Sequence, residues 1–272
     1  MSRYRRTMVA VAIVAILLFP VYWMLLTSLR SEAEAVRVPP ELLPASADLS
    51  AYEIAVLDNP AIRRAVLNSL IIGAGTMTLT MLLAVPAAYV LARRRVRGVT
   101  PMMLLLLLTQ LLPGIAVATP LFVLFRQLGL INSYAGIVLA DATITVPFAI
   151  LILRPFFLRI PRELEMAALV DGCRPLGAFV RVVLPVSRAG IVTVAALSFL
   201  LAWGEFLFAL SLTTEEHVQP LTVALATFSS STGTPWSQLM AVPTVVAVPI
   251  VLLFIAIQRY IVGGLTLGGV KE

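Results

Sequence analysis

The feature that most constrains this chain is a series of apolar runs, each about as long as a lipid bilayer is thick. Residues 7–27 contain no charged side chain, and comparable runs cover about residues 70–92, 101–125, 135–153, 189–212 and 237–257. A helix needs about 20 residues to cross a hydrocarbon core of about 30 Å, and backbone outside a helix or a closed barrel cannot face lipid. With 12% charged residues the chain falls well below the roughly 25% of soluble domains. The expectation is an all-α polytopic membrane protein with six transmembrane helices, in one domain over residues 1–272.

Charge sets the expected orientation. Arg3, Arg5 and Arg6 precede the first run, Arg93, Arg94, Arg95 and Arg97 follow the second, and six arginines lie between the fourth and fifth. Placing these segments and the tail 258–272 in the cytoplasm puts 15 of the 20 basic residues inside, as the positive-inside bias requires. Both termini are then cytoplasmic. The first run has no small-residue cleavage site and reaches Trp23, so it reads as a retained helix and not a removed signal. The net charge of +6 is a matter of topology and not of nucleic-acid binding. Residues 30–67, with Pro39, Pro40, Pro44 and six acidic residues, and residues 213–236 are expected as external loops.

Within the runs, Asn68-Ser69 is expected to cap the second span, Pro86 to kink it, and Pro113-Gly114 and Pro120 to interrupt the third. One cysteine, Cys173, and one histidine, His217, permit no intrachain disulfide and offer no histidine pair for a metal.

Residues 160–190 form the longest polar interruption in the second half, yet carry their own helical pattern. Leu164, Ala167 and Ala168 recur at i, i+3, i+4. After Asp171-Gly172, Leu176, Phe179, Val180 and Val183 recur at i, i+3, i+4, i+7, which predicts two short helices with apolar stripes. Pro161 suits a first turn, Glu163 and Glu165 the positive end of a helix, Gly172 a C-terminal cap, and Pro175 the start of the second helix. Such a segment either rests on the membrane interface or docks on a partner protein.

The pattern Glu165-x-Ala167-Ala168-x-x-Asp171-Gly172, followed after nine residues by Val182-x-Leu184-Pro185, resembles the EAA loop of ABC importer membrane subunits. Counting back from Gly172, the family's glutamate position falls on Met166, with Glu165 one place earlier. The tail, Gln258-Arg259-Tyr260-Ile261-Val262-x-Gly264-Leu265-Thr266-x-Gly268-Gly269-Val270-Lys271, is similar to that of maltose- and trehalose-type carbohydrate permeases. Asn68-Ser69 and Ala202-Trp203-Gly204-Glu205-Phe206 are similar as well, although the family commonly has Asn where this chain has Gly204.

The resemblance implies a type I ABC importer permease fold with a cytoplasmic coupling helix. It implies that Glu165, Ala167, Ala168, Asp171, Gly172, Leu176, Phe179, Leu184 and Pro185 couple to an ATPase, and that Gly268, Gly269, Val270 and Lys271 reach it through the tail. The implied partners are a homologous second permease, two ATP-binding subunits, an extracytoplasmic sugar-binding protein or lipoprotein, a sugar substrate and membrane lipid. No cofactor is expected in this chain, ATP and magnesium being held by the ATPase subunits. Consistently, the sequence has no Gly-x4-Gly-Lys-Ser/Thr phosphate loop. Such a subunit transports and has no catalytic site of its own.

Asp141 and Glu205 are acids inside predicted spans, where an ionised group facing lipid costs at least a few kcal/mol, so both should face inward. Each serves either sugar recognition or gating, or a structural hydrogen bond. Trp203 either stacks on a sugar ring or packs in the bundle. The competing function class is a self-sufficient channel or ion-coupled secondary transporter, which would ordinarily want more intramembrane titratable groups.

Overall fold

The computed structural model describes residues 3–43, 47–93, 98–231 and 235–266, all helical or irregular, with no strand among them. Helix α1 (Arg3–Ser28) leads through the short α2 (Glu32–Ala35) and α3 (Ser50–Tyr52) with its π turn (Glu53–Leu57) into α4 (Pro60–Arg93). There follow α5 (Val99–Gln110), α6 (Gly114–Gln127), α7 (Tyr134–Arg159), α8 (Arg162–Val170) and α9 (Pro175–Ala178). A π turn (Phe179–Val183) joins α9 to α10 (Leu184–Val186). The chain ends in α11 (Arg188–Trp203), α12 (Leu207–Leu212), α13 (Leu221–Ser231) and α14 (Trp236–Thr266).

Four helices among the described residues are long and apolar enough to cross a bilayer: Tyr4–Ser28, Pro60–Arg93, Tyr134–Arg159 and Trp236–Gln258. Two bent pairs, Val99–Gln110 with Gly114–Gln127 at 94° and Pro175–Val186 with Arg188–Trp203 at 78°, raise the number to six if each makes one span. The first bend falls at Pro113, which has no N–H to donate and biases Leu112 away from helix. The expected third span is therefore two helices at nearly a right angle.

The second span starts earlier than its apolar run. Asn59 Oδ1 accepts from Ala61 N at 3.1 Å and Ile62 N at 3.2 Å, with Pro60 following the cap. Asn68 and Ser69 therefore lie inside α4 and cap nothing there, and they are almost fully buried. The polar residues of the first turns did not end the helix because Ile62 and Ala65 bury one face of it. The expected outer loops are also more ordered than composition implied, since 213–236 contains a 3-10 turn (Glu216–Val218) and α13. Helix α14 runs on to Thr266, into the expected tail.

The bundle centres on α4, which packs along α7, with α11 closing against both; α5 lies on α7 and α1 on α14. Small residues permit the closest approaches. A Cβ at Gly190 of α11 would stand 2.7 Å from Phe156 of α7, and one at Gly73 of α4 would stand 2.8 Å from Phe199 of α11. Such contacts replace the hydrophobic drive that helices lack in lipid.

Candidate functional site

Helix α8 ends as its sequence requires. Cys173 N donates to Ala168 O at 2.9 Å and Gly172 N to Leu169 O at 3.1 Å, the two bonds of a Schellman cap, and Gly172 adopts φ 88°. Nothing lies within 4 Å of a Cβ built at Gly172, so backbone conformation and not crowding calls for glycine here. Pro175 then opens α9 at its first position.

The two helices divide into an anchored side and an open side. Ala168 is buried, and Phe179 and Val183 join a core cluster with Ala88 and Leu91 of α4, Leu153 and Phe157 of α7 and Val194 of α11. Leu184 packs against the same cluster. Away from the bundle, Met166, Val170, Leu176 and Val180 are exposed, Val170 at 84% and Leu176 at 71%. Ala167, Asp171, Gly172 and Pro185 are exposed with them. The predicted coupling residues are thus split: Ala168, Phe179 and Leu184 hold the element to the body, whereas Ala167, Asp171, Gly172, Leu176 and Pro185 face outward. The π turn contributes to the split. Its extra residue per turn breaks the i, i+3, i+4 stripe, so Leu176 and Val180 stay out while Phe179 and Val183 turn in.

Glu165 belongs to the anchored side. Its Oε2 stands 3.3 Å from Arg93 Nε, with 18% and 6% of the two side chains exposed. The Nε–H is not aligned for a hydrogen bond, so the contact is electrostatic. Arg93 Nη2 donates to Ile160 O at 2.8 Å, and Tyr89 Oη donates to Glu165 Oε1. The Tyr89 ring packs on Phe179 at 4.4 Å and edge-on against Phe157 at 6.0 Å. Arg154 adds a bond from Nε to Leu91 O at 3.2 Å. By sequence Arg93 counts only as a topology charge and Tyr89 carries no functional pattern; their i, i+4 spacing on one helix face is the signal that joins them.

Around the turn, Asp171, Arg174, Leu176 and Arg181 line a groove of about 530 Å³. A second groove of about 620 Å³ runs between α4 and α11, lined by Met81, Val85, Phe179, Leu184, Ile191 and others. Its lining is almost wholly apolar, which does not suit a polyhydroxylated solute. Gly268, Gly269, Val270 and Lys271 lie outside the described residues.

The interior acids face inward. Asp141 is 2% exposed on α7; its Oδ2 accepts from Thr76 Oγ1 at 3.4 Å and its Oδ1 has no hydrogen-bond partner. Thr80 and Thr145 hydroxyls meet at 2.7 Å beside it. Glu205 sits in the break between α11 and α12, where its two oxygens accept from Phe208 N at 2.7 Å and Ala209 N at 3.0 Å. From the position before the N-cap residue Phe206, its side chain caps the first turn of α12. Trp203, 3% exposed, stacks on Phe199 at 5.6 Å, and its ring faces are occupied by packing in this conformation.

Comparison with known proteins agrees with this architecture. The chain is 35% identical over 254 residues to the sulfoquinovosyl glycerol transport system permease protein of Agrobacterium fabrum, covering 93% of this chain and 89% of that one. It is 34% identical over 261 residues to the trehalose transport system permease protein of Mycobacterium tuberculosis, covering 95% and 94%. The fold matches a chain in the crystal structure of a bacterial ABC transporter involved in import of the acidic polysaccharide alginate, with TM-score 0.80, 24% identity and coverage of 96% and 98%. Residues 59–266 match the profile described as binding-protein-dependent transport system inner membrane component. The chain belongs to this family and is a multi-pass protein of the bacterial inner membrane.

Proposed function

We propose that this chain is one of two permease subunits of an ATP-driven sugar importer, forming the pathway with a homologous second permease. Two ATP-binding subunits bind the outward side of α8 and α9, and a solute-binding protein delivers a di- or oligosaccharide from the opposite face. The observation that carries the reading is the apolar patch of Met166, Val170, Leu176 and Val180, held rigidly at the end of α4 by Glu165, Arg93 and Phe179. Exposed apolar side chains on an anchored element mark a protein or membrane contact, and the resemblance of this loop to the EAA loop favours the protein. The relatives named for trehalose and for sulfoquinovosyl glycerol support a carbohydrate or glycoside as solute.

Mechanically, the anchored side makes the element move with α4. Closure of the ATPase pair pushes on α8 and α9; the Glu165 to Arg93 contact and the Phe179 cluster carry that displacement into α4, α7 and α11, and the two permeases rock between inward- and outward-open states. The chain performs no covalent step. The test is reconstitution of this chain with its partner permease, ATPase and binding protein in proteoliposomes. Uptake of labelled trehalose or maltose that requires both ATP and binding protein is expected. Uptake by this chain alone, without ATP, would overturn the reading.

A further inference from the structure

The apolar groove between α4 and α11 is unsuited to a sugar and lies outside the outward patch of α8 and α9. It measures about 620 Å³ and runs from Met77 to Pro86 along α4, about 13 Å at 1.5 Å per residue. That is close to the depth of one leaflet, half of a hydrocarbon core of about 30 Å. Beyond Met77, Phe199 of α11 lies against Gly73 of α4 and brings the two helices into contact. Towards the other end the lining includes Phe179, Leu184 and Arg188, the last being the first residue of α11.

Among the described residues, two polar side chains line this groove and no acid does. Thr78 Oγ1 donates to Ala74 O of its own helix at 2.7 Å, so its donor is already spent. Arg188 is exposed, and among the described residues it makes no ion pair. In this it differs from Arg93, which meets Glu165. The groove is therefore apolar along its length and carries one uncompensated cation at the end where α11 begins.

We infer that this groove binds an anionic phospholipid, with one acyl chain along Leu82, Val85 and Val192 and the headgroup phosphate on Arg188. The inference requires only that α4 and α11 lie in the membrane, and it stands apart from the proposed importer function. Lipid tails are as apolar as the groove wall, so burial alone does not favour this site over the bulk bilayer. Two other terms do: dispersion between the chain and a fixed surface, and the paired hydrogen bonds of a guanidinium to a phosphate. A zwitterionic lipid carries an ammonium beside its phosphate, which the arginine repels. Basic pockets between membrane helices select acidic headgroups on this principle.

The test uses the full chain in detergent, titrated with dioleoyl phosphatidylglycerol or dioleoyl phosphatidylcholine, with the lipid retained per chain read by native mass spectrometry. Wild type should retain phosphatidylglycerol more tightly than phosphatidylcholine. Arg188→Gln should weaken phosphatidylglycerol retention about fivefold and leave phosphatidylcholine unchanged, whereas Arg188→Lys should keep most of the preference. Arg188 is exposed, so these two variants carry the test even if a change inside the groove fails to fold. Ala195→Phe, which fills the groove, should reduce retention of both lipids. Equal phosphatidylglycerol retention by wild type and Arg188→Gln, or full retention by a folded Ala195→Phe chain, would overturn the inference. So would an Ala195→Phe chain whose only change is in self-association or in pairing with a second permease, because a protein would then be the occupant.

Discussion

Arg93 Nε and Glu165 Oε2 meet at 3.3 Å, joining the last turn of α4 to the middle of α8 where both side chains are largely buried. Removing one partner of such a pair strands the other, at a cost near the lower end of roughly 3–5 kcal/mol because Glu165 keeps some solvent contact. Arg93→Gln and Glu165→Gln should each lower the melting temperature of the assembled complex and reduce solute transported per ATP hydrolysed. The double reversal Arg93→Glu with Glu165→Arg should recover part of that loss. No recovery would mean that shape, and not charge, holds the element.

Gly172 offers a sharper separation of fold from docking. Its left-handed backbone costs a side chain about 1 kcal/mol, less for asparagine, and the space around it is open within this chain. Gly172→Asn should therefore keep most uptake. Gly172→Leu should assemble yet lose uptake and solute-stimulated ATP hydrolysis, because its bulk meets only an outside partner. Normal uptake by the assembled leucine variant would contradict docking at this turn.

Glu205 caps α12 through two backbone N–H groups. Glu205→Ala should destabilise the chain by about 1–2 kcal/mol, and Glu205→Gln, which keeps one acceptor, by less. Thermal unfolding in detergent checks the order. If the glutamine variant raised the solute concentration needed for half-maximal uptake without changing stability, Glu205 would be a solute contact.

Gly190 sits under the Phe156 ring, 2.7 Å from where its Cβ would be. Gly190→Leu should cost about 1–3 kcal/mol by overpacking, and shortening the opposing ring with Phe156→Leu should return part of it. The melting temperatures of the two single variants and the double variant form the required cycle.

Much of the architecture was legible because its causes are local. The apolar runs around α1, α4, α7 and α14 call for helices in lipid whatever they touch. The Schellman turn at Gly172 and the start of α9 at Pro175 need only the residues within one turn. Asp141 and Glu205 were legible as inward-facing because facing lipid is so costly. What each then bonds was not, since the backbone N–H groups that Glu205 caps are exposed only once the helix breaks.

Other features depended on neighbours far along the chain. Asn68-Ser69 looked like a helix cap, and became the clamp of a segment some 150 residues away, because burial leaves an asparagine no water to bond and His217 and Gln219 supply the carbonyls. Glu165 suits a helix start by sequence and a coupling role by resemblance; Arg93 and Tyr89, far from it along the chain, are what hold it to the body. The sequence by itself determined that long apolar helices in lipid make up the body and where α8 must turn. Only the tertiary structure decided which side of each helix is free, because that is set by polar partners and close contacts between elements, and no periodicity within one element carries them.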